Sequence, residues 1–214
     1  MKIVAISDLH GFLEPARKII ALERPDLLLC AGDWGTAEEV AGNDFEAITR
    51  TAHTFTVFGN NDHLELLHQI KNSDDTNILL ENGKPVHYLD LTIAGINGIW
   101  AKSHKQPWYI TDEEVAEAAA KLRDQNVDIL ITHGCPIGMA DLTPTGGRGG
   151  QRCFTEAFKV VGPRLHLCGH LHRKSEYRTR DGKLVFNIGY TREGDYLLIH
   201  LNEGKLDFES KQVQ

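Results

Sequence analysis

Short apolar runs alternate with amphipathic stretches through the first half of the chain. Lys2-Ile3-Val4-Ala5-Ile6 reads as a strand. Pro15 to Glu23 reads as a helix, with Ala16, Ile19 and Ile20 at helical spacing and Pro15 suited to a first turn. Asp26-Leu27-Leu28-Leu29-Cys30 is largely apolar, as a strand covered on both faces would be. Phe45 to His53 reads as helix, Thr54 to Phe58 as the third strand, and His63 to Lys71 as a further helix.

The texture changes after Ile78. Val86 to Leu89 and Leu91 to Ala94 read as strands joined by a tight turn. Asp112 to Gln125 is the clearest helix, with Thr111 as N-cap and Glu114 three residues on. Asp128 to Thr132 is another buried strand, and five short strands follow: 165–168, 176–180, 184–188, 196–201 and 205–209. Asp181-Gly182 between two of them signals a hairpin. Strand–helix units early and hairpins late predict an α/β (α+β) fold, with two mixed β-sheets packed together and helices on their outer faces. No repeat or linker divides the chain, so residues 1–214 are expected to form a single domain. Two stretches read as long loops, 98–110 and 136–151, and loops of that length are often functional.

Composition adds limits rather than an answer. The 214 residues carry 23 basic and 30 acidic side chains, a net charge of −7, which argues against a dedicated nucleic-acid binder. No run approaches the roughly 20 apolar residues of a membrane span. The start of the chain lacks the long apolar region of a signal peptide. The four cysteines have no CxxC spacing and are expected to be free thiols in the cytoplasm. The eleven histidines matter through their positions.

Each of five apolar strands is followed by Asp, His or Asn, mostly beside glycine. The segments are Ser7-Asp8-Leu9-His10-Gly11, Ala31-Gly32-Asp33, Gly59-Asn60-Asn61-Asp62-His63, Thr132-His133-Gly134 and Cys168-Gly169-His170-Leu171-His172. In open α/β sheets ligands bind beyond the carboxyl ends of strands. Asp8, His10, Asp33, Asn60, His133, His170 and His172 together offer hard oxygen and imidazole nitrogen without thiolate, a set suited to Mn²⁺, iron or Zn²⁺. Seven ligands are too many for one transition metal and fit two metals sharing a bridging carboxylate. Any one of these motifs alone is an ordinary polar turn; five at successive strand ends are not.

In this order, Asp8-x-His10, Gly32-Asp33, Gly59-Asn60-x-Asp62, His133 and Gly169-His170-x-His172 resemble the calcineurin-like metallophosphoesterase superfamily. Asn187-Ile188-Gly189 is similar to a late Asn-x-Gly element of that family. The resemblance implies a four-layer αββα sandwich. It implies that Asp8, His10 and His172 hold one divalent ion, that Asn60, His133 and His170 hold a second, and that Asp33 bridges them. It implies hydrolysis of a phosphoester by direct attack of a hydroxide shared by the two metals, with Mn²⁺ favoured over iron or Zn²⁺. The expected partner is a small phosphate ester rather than nucleic acid or membrane, and the oligomeric state is left open.

One position departs from the pattern. Many members place His directly after the metal-binding Asn, where it assists the leaving group; here Asn61 stands there. An amide is no general acid. A diester with a good leaving group depends less on protonation, so a phosphodiesterase is expected ahead of a phosphomonoesterase or protein phosphatase. A nuclease and a non-catalytic protein-binding scaffold are further rivals on the same fold. His63 is a candidate replacement for the missing His, against a plain surface histidine at a helix start. Asp62 is read as orienting the metal site. Arg148 and Arg152 flank the Gly-rich stretch 143–150 and are candidates for a phosphate clamp. Trp34 and Trp108 are candidates for stacking on a substrate, against simple packing. His53, His68, His87, His104, His166 and His200 have no ligand spacing and are read as structural or surface residues.

Overall fold

The computed structural model describes residues 1–214. The chain runs β1 (Lys2–Ile6), α1 (Glu14–Glu23), β2 (Leu27–Cys30), α2 (Gly42–Thr49), β3 (His53–Thr56) and α3 (Leu64–Leu67). It continues with β4 (Val86–Tyr88), β5 (Leu91–Ile96), β6 (Ile99–Trp100), β7 (Tyr109–Ile110), α4 (Asp112–Leu122) and β8 (Ile129–Thr132). It ends with α5 (Arg152–Val161), β9 (Leu165–Cys168), β10 (Ser175–Arg178), β11 (Leu184–Asn187), β12 (Asp195–Asn202) and β13 (Lys205–Gln212).

One sheet has the order β13-β12-β1-β2-β3, the other β10-β11-β9-β8-β5-β4. β1, β2 and β3 run parallel, as do β5, β8, β9 and β11, while β12 and the edge strands β4, β10 and β13 are antiparallel to their neighbours. Both sheets are therefore mixed. Side-chain alternation sorts the core into layers. Ile3, Ala5, Leu27 and Leu29 face Ile93, Ile129, Ile131, Leu165 and Leu167 between the sheets. Val4, Ile6, Leu28 and Cys30 face outward onto Ile19 of α1 and Phe45 and Ile48 of α2. Ala94, Ile96 and Leu130 face the other way, onto Val115 and Leu122 of α4 and Phe154 and Ala157 of α5. The result is the expected αββα sandwich.

The departures from expectation have local causes. α2 starts at Gly42 because the Asp44 carboxylate accepts the Ala41 N–H at 3.0 Å, and His53 belongs to β3, paired with Leu27. α3 is a single turn. Its expected continuation is ended by Asn72, whose side chain accepts the Thr54 N–H at 2.8 Å and donates to the Thr54 carbonyl. The stretch 98–110 is closed at its base by the short parallel pair β6–β7. α5 has no counterpart in the sequence reading, although Phe154, Ala157, Phe158 and Val161 carry a helical period and Gly162 stops the helix in the left-handed region (φ 65°).

Candidate metal centre

The carboxyl ends of β1, β2 and β3 in one sheet meet those of β8 and β9 in the other. Beyond β1 the backbone stays paired to the β2 loop: Asp8 N–H donates to the Gly32 carbonyl, and Leu9 and His10 N–H both donate to the Asp33 carbonyl. Gly169 N–H donates to the His133 carbonyl, which joins the β9 loop to the β8 loop. Asp8, His10, Asp33, His170 and His172 all have positive φ, between 48° and 67°. Such conformations are uncommon for residues with a Cβ and concentrate at functional sites. The framework holds them against that preference.

Asp8 is fully buried. Its Oδ2 accepts the Ser7 hydroxyl at 2.6 Å and the His170 N–H at 2.9 Å. Its Oδ1 lies 3.2 Å from His172 Nε2 and 3.8 Å from His10 Nε2. Asp33 Oδ1 accepts the Asn61 N–H at 2.8 Å, leaving Oδ2 3.4 Å from His133 Nε2 and 3.6 Å from His10 Nε2. His133 Nδ1 donates to the Ala31 carbonyl at 2.7 Å, which fixes the ring and turns Nε2 toward Asp33. His10 Nε2 and His172 Nε2 are 3.1 Å apart, and the His170 ring lies 5.1 Å from that of His133.

These contacts bring lone pairs together with little to share between them. His133 Nε2 and Asn60 Oδ1 are buried without a hydrogen-bond partner. Two groups of ligand atoms lie within 4.8 Å of one another, Asp8/His10/His172 and Asp8/Asp33/His133. Protons respond to the same field. Burial opposes charge on both Asp33 and His133, yet each partner's charge outweighs it, driving Asp33 down and His133 up. Burial and the His133 charge hold His170 down to about 4, so its imidazole is neutral and able to ligate. A site that attracts positive charge and presents neutral imidazole, carboxylate and amide oxygen fits divalent cations.

A family model described as the calcineurin-like phosphoesterase superfamily domain matches residues 1–201. The chain belongs to that superfamily. Among relatives, the metallophosphoesterase domain-containing protein 1 of Homo sapiens and that of Mus musculus are each 25% identical over 202 residues. Each alignment covers 80% of this chain and 60% of the relative, so the chain spans less than two thirds of those proteins' length. Among solved structures, TT1561 of Thermus thermophilus superposes with a TM-score of 0.71 at 18% identity over 98% of both chains. A putative 5'-nucleotidase from Staphylococcus aureus gives 0.61 at 16% identity, over 98% of this chain and 52% of that one. Vps29 complexed with Zn²⁺ from Entamoeba histolytica gives 0.52 at 12% identity over 99% of both. At these identities the structures speak for the fold.

Within this phosphoesterase fold the remaining candidates separate. Asp62 is buried and receives three backbone donors: Asp33 N–H at 2.8 Å and Gly59 N–H at 2.7 Å on Oδ2, and Trp34 N–H at 2.7 Å on Oδ1. Burial and the Asp33 charge push its carboxyl up, against the pull of those donors. The Asn61 side chain leans away, toward Glu39 Oε2 at 3.4 Å. His63 lines a cavity with Asn60 and Asp62, and its Nδ1 is buried without a partner. Arg148 is ion-paired with buried Asp141 and half-exposed, bracing its loop. Arg152 is not beside it: it opens α5 and lines the groove between α4 and α5. Trp34 is fully buried and bonded to Thr56, so it packs rather than stacks on a substrate, whereas Trp108 reaches the His63 cavity. The sequence reading passed over Ser7, Glu39 and Tyr190. The Tyr190 ring stacks on His172 at 4.2 Å and 8°, and its edge meets His10 at 5.8 Å. No local pattern marks it; only its nearness to the Asn187-Ile188-Gly189 element points that way.

Proposed function

We propose that this chain is a dinuclear metal-dependent phosphoesterase that hydrolyses a small phosphodiester. The observation that carries this reading is the convergence of carboxylate and imidazole groups, above all Asp33 Oδ2 between His133 Nε2 at 3.4 Å and His10 Nε2 at 3.6 Å. Asp8, His10 and His172 would hold one ion and Asn60, His133 and His170 a second, with Asp33 joined to both. When bound, a pair of divalent ions lowers the pKa of water and offsets charge on the phosphoryl oxygens. The oxygen and imidazole donors suit Mn²⁺, iron or Zn²⁺, and Mn²⁺ is the ion we favour.

The chain's own residues do the rest. Ser7 and the His170 N–H fix the Asp8 carboxylate, the Ala31 carbonyl fixes His133, and Tyr190 backs the His172 ring. Asp62 ties the Asp33 and Gly59 backbones into one unit. Asn61 carries no acid and turns toward Glu39, which favours a diester over a monoester. His63 is the group on that side able to donate a hydrogen bond to a departing oxygen, and the half-exposed Arg148 guanidinium is available to an incoming anion only if it leaves Asp141. No helix is long and apolar enough to cross a membrane. Four free, buried thiols support a reducing, cytoplasmic setting.

The test is metal analysis of the purified protein together with turnover of bis-p-nitrophenyl phosphate and p-nitrophenyl phosphate after loading with Mn²⁺, Zn²⁺ or Fe²⁺. Two ions per chain and dominant diester turnover are expected. Dominant monoester turnover would overturn the substrate assignment. A protein with neither metal nor activity would leave the scaffold reading in its place.

A further inference from the structure

A cavity of about 490 Å³ opens beside the metal centre on the side of Asn60. Asn60, Asp62 and His63 line it together with the apolar side chains of Leu64, Pro107 and Trp108. Trp108 comes from the stretch 98–110, which is pinned to the same strand end that carries Asn60. Gly98 N–H donates to the Phe58 carbonyl at 2.8 Å, and Ile99 N–H donates to the Trp108 carbonyl at 2.9 Å. The approach is close: a Cβ on Gly98, whose φ is +92°, would stand 2.7 Å from that carbonyl oxygen. The indole is thus carried on a backbone held fixed relative to Asn60, although 48 residues separate them (108 minus 60).

We infer that this cavity receives the leaving group of the substrate and selects a flat, uncharged aromatic one, with Trp108 as the specificity-determining contact. This rests on the phosphodiesterase reading above. Size, shape and charge argue for that class. The volume is that of a small-ligand pocket. An indole beside the apolar side chains of Leu64 and Pro107 rewards a planar ring. The exposed Glu65 in its lining repels an anionic leaving group such as a second phosphate. His63 lines the cavity next to Asn60, within the part that adjoins the metal centre.

Two diesters separate the leaving side from the retained side. Bis-p-nitrophenyl phosphate and methyl p-nitrophenyl phosphate expel the same aryl oxide but retain different groups. Trp108→Ala is expected to lower kcat/KM roughly tenfold for both, and Trp108→Phe, which keeps a flat ring, to recover most of that loss. A loss confined to the bis-aryl ester would place the ring on the retained group and overturn the inference, as would no loss with either. Binding is read separately by titrating the metal-loaded protein with p-nitrobenzylphosphonate, whose C–P bond is not hydrolysed. Saturable quenching of tryptophan emission that disappears in Trp108→Phe is expected, and quenching that persists unchanged in that variant would overturn the inference. If the wild type hydrolyses neither diester with any metal, the phosphodiesterase reading fails, and the quenching titration alone decides whether the cavity takes an aryl group.

Discussion

Asp62→Asn isolates a carboxylate that holds the site without entering it. Asp62 takes three buried backbone donors at 2.7–2.8 Å, two on Oδ2 and one on Oδ1. An amide offers one oxygen. If that oxygen replaces Oδ2, the Gly59 and Asp33 donors keep a partner, and the Trp34 N–H faces an NH₂ group instead. If the amide is turned, two donors are stranded. A hydrogen bond to a charged acceptor contributes about 1.5–3 kcal/mol, and a buried unpaired N–H costs about 1–3 kcal/mol more. Removing a charge that burial and Asp33 disfavour offsets part of this, so a net loss of about 1–3 kcal/mol follows, which for a domain of this size lowers Tm by roughly 2–12 °C. Calorimetry at pH 8 with chelator present reads that loss free of any metal contribution. The same substitution loosens the Asp33 backbone, so Mn²⁺ affinity by titration calorimetry is expected to fall about 10–100-fold. An Asp62→Asn protein whose chelated Tm moves by less than about 1 °C would refute the three-donor account. Unchanged Mn²⁺ affinity would refute the positioning role even if stability falls.

The other predictions concern the ligands, selectivity and acid stability. Asp33→Asn is expected to nearly abolish turnover and to reduce bound metal below two per chain, because Oδ2 faces both His10 and His133; a fully metallated, active variant would refute the shared-ligand assignment. Asn61→His is expected to raise the monoester-to-diester ratio, with Glu39 in reach of the new ring; an unchanged ratio would show that this position does not set selectivity. His166 is buried, its Nε2 2.8 Å from Thr132 Oγ1, and that hydroxyl itself donates to the Gly134 carbonyl, so the ring is neutral with the proton on Nε2. Burial pushes its pKa from 6.5 down to about 3, so the unfolded chain takes up a proton that the fold refuses. The fold is unaffected above pH 6.5 and loses stability as pH falls from 6.5 toward 3, by about 2 kcal/mol at pH 5. Urea titrations of His166→Gln should show a shallower decline over that window, and an identical slope would refute the assignment.

What the sequence revealed and what it concealed follow from the range of the interactions. β1, β2, β8 and β9 are buried on both faces, so their apolar runs survive in any context and were legible. The loops that meet at the candidate site were legible because each strand end exposes its polar residues locally. α3 was over-extended because Leu64, Leu67 and His68 continue a helical period that the side chain of Asn72 interrupts from Thr54, 18 residues away (72 minus 54). α5 carried an adequate signal in Phe154, Ala157, Phe158 and Val161, but it begins directly after a Gly-rich loop that masks its start. His166 lacked any local mark of burial, since strand β9 presents it alternately with Leu165 and Leu167, and its stacking partner Phe158 comes from α5. Tyr190 and Glu39 reach the site from segments with no motif of their own.

Glycine beside a candidate ligand permits a tight turn and a close backbone approach. The surroundings of the motif glycines sharpen that reading into reciprocal clearance between strand ends. A Cβ on Gly59 would collide with Asp33 Oδ1 and stand 2.5 Å from the His133 ring, so the glycine preceding Asn60 makes room for two candidate ligands from other strands. A Cβ on Gly169 would collide with the Ser7 hydroxyl and stand 2.5 Å from Asp8 Oδ2, so the glycine preceding His170 makes room for the first strand's carboxylate. Gly32, before Asp33, lies where a Cβ would be 2.7 Å from the Gly59 nitrogen. Each of these three glycines thus makes room for a group from another strand end. That mutual dependence explains why the motifs occur as a set: no single strand end can adopt its shape unless the others supply the space. It also explains how residues as bulky as His10, His170 and His172 are held at positive φ, because the contacts that fix them come from across the cleft rather than from their own turns.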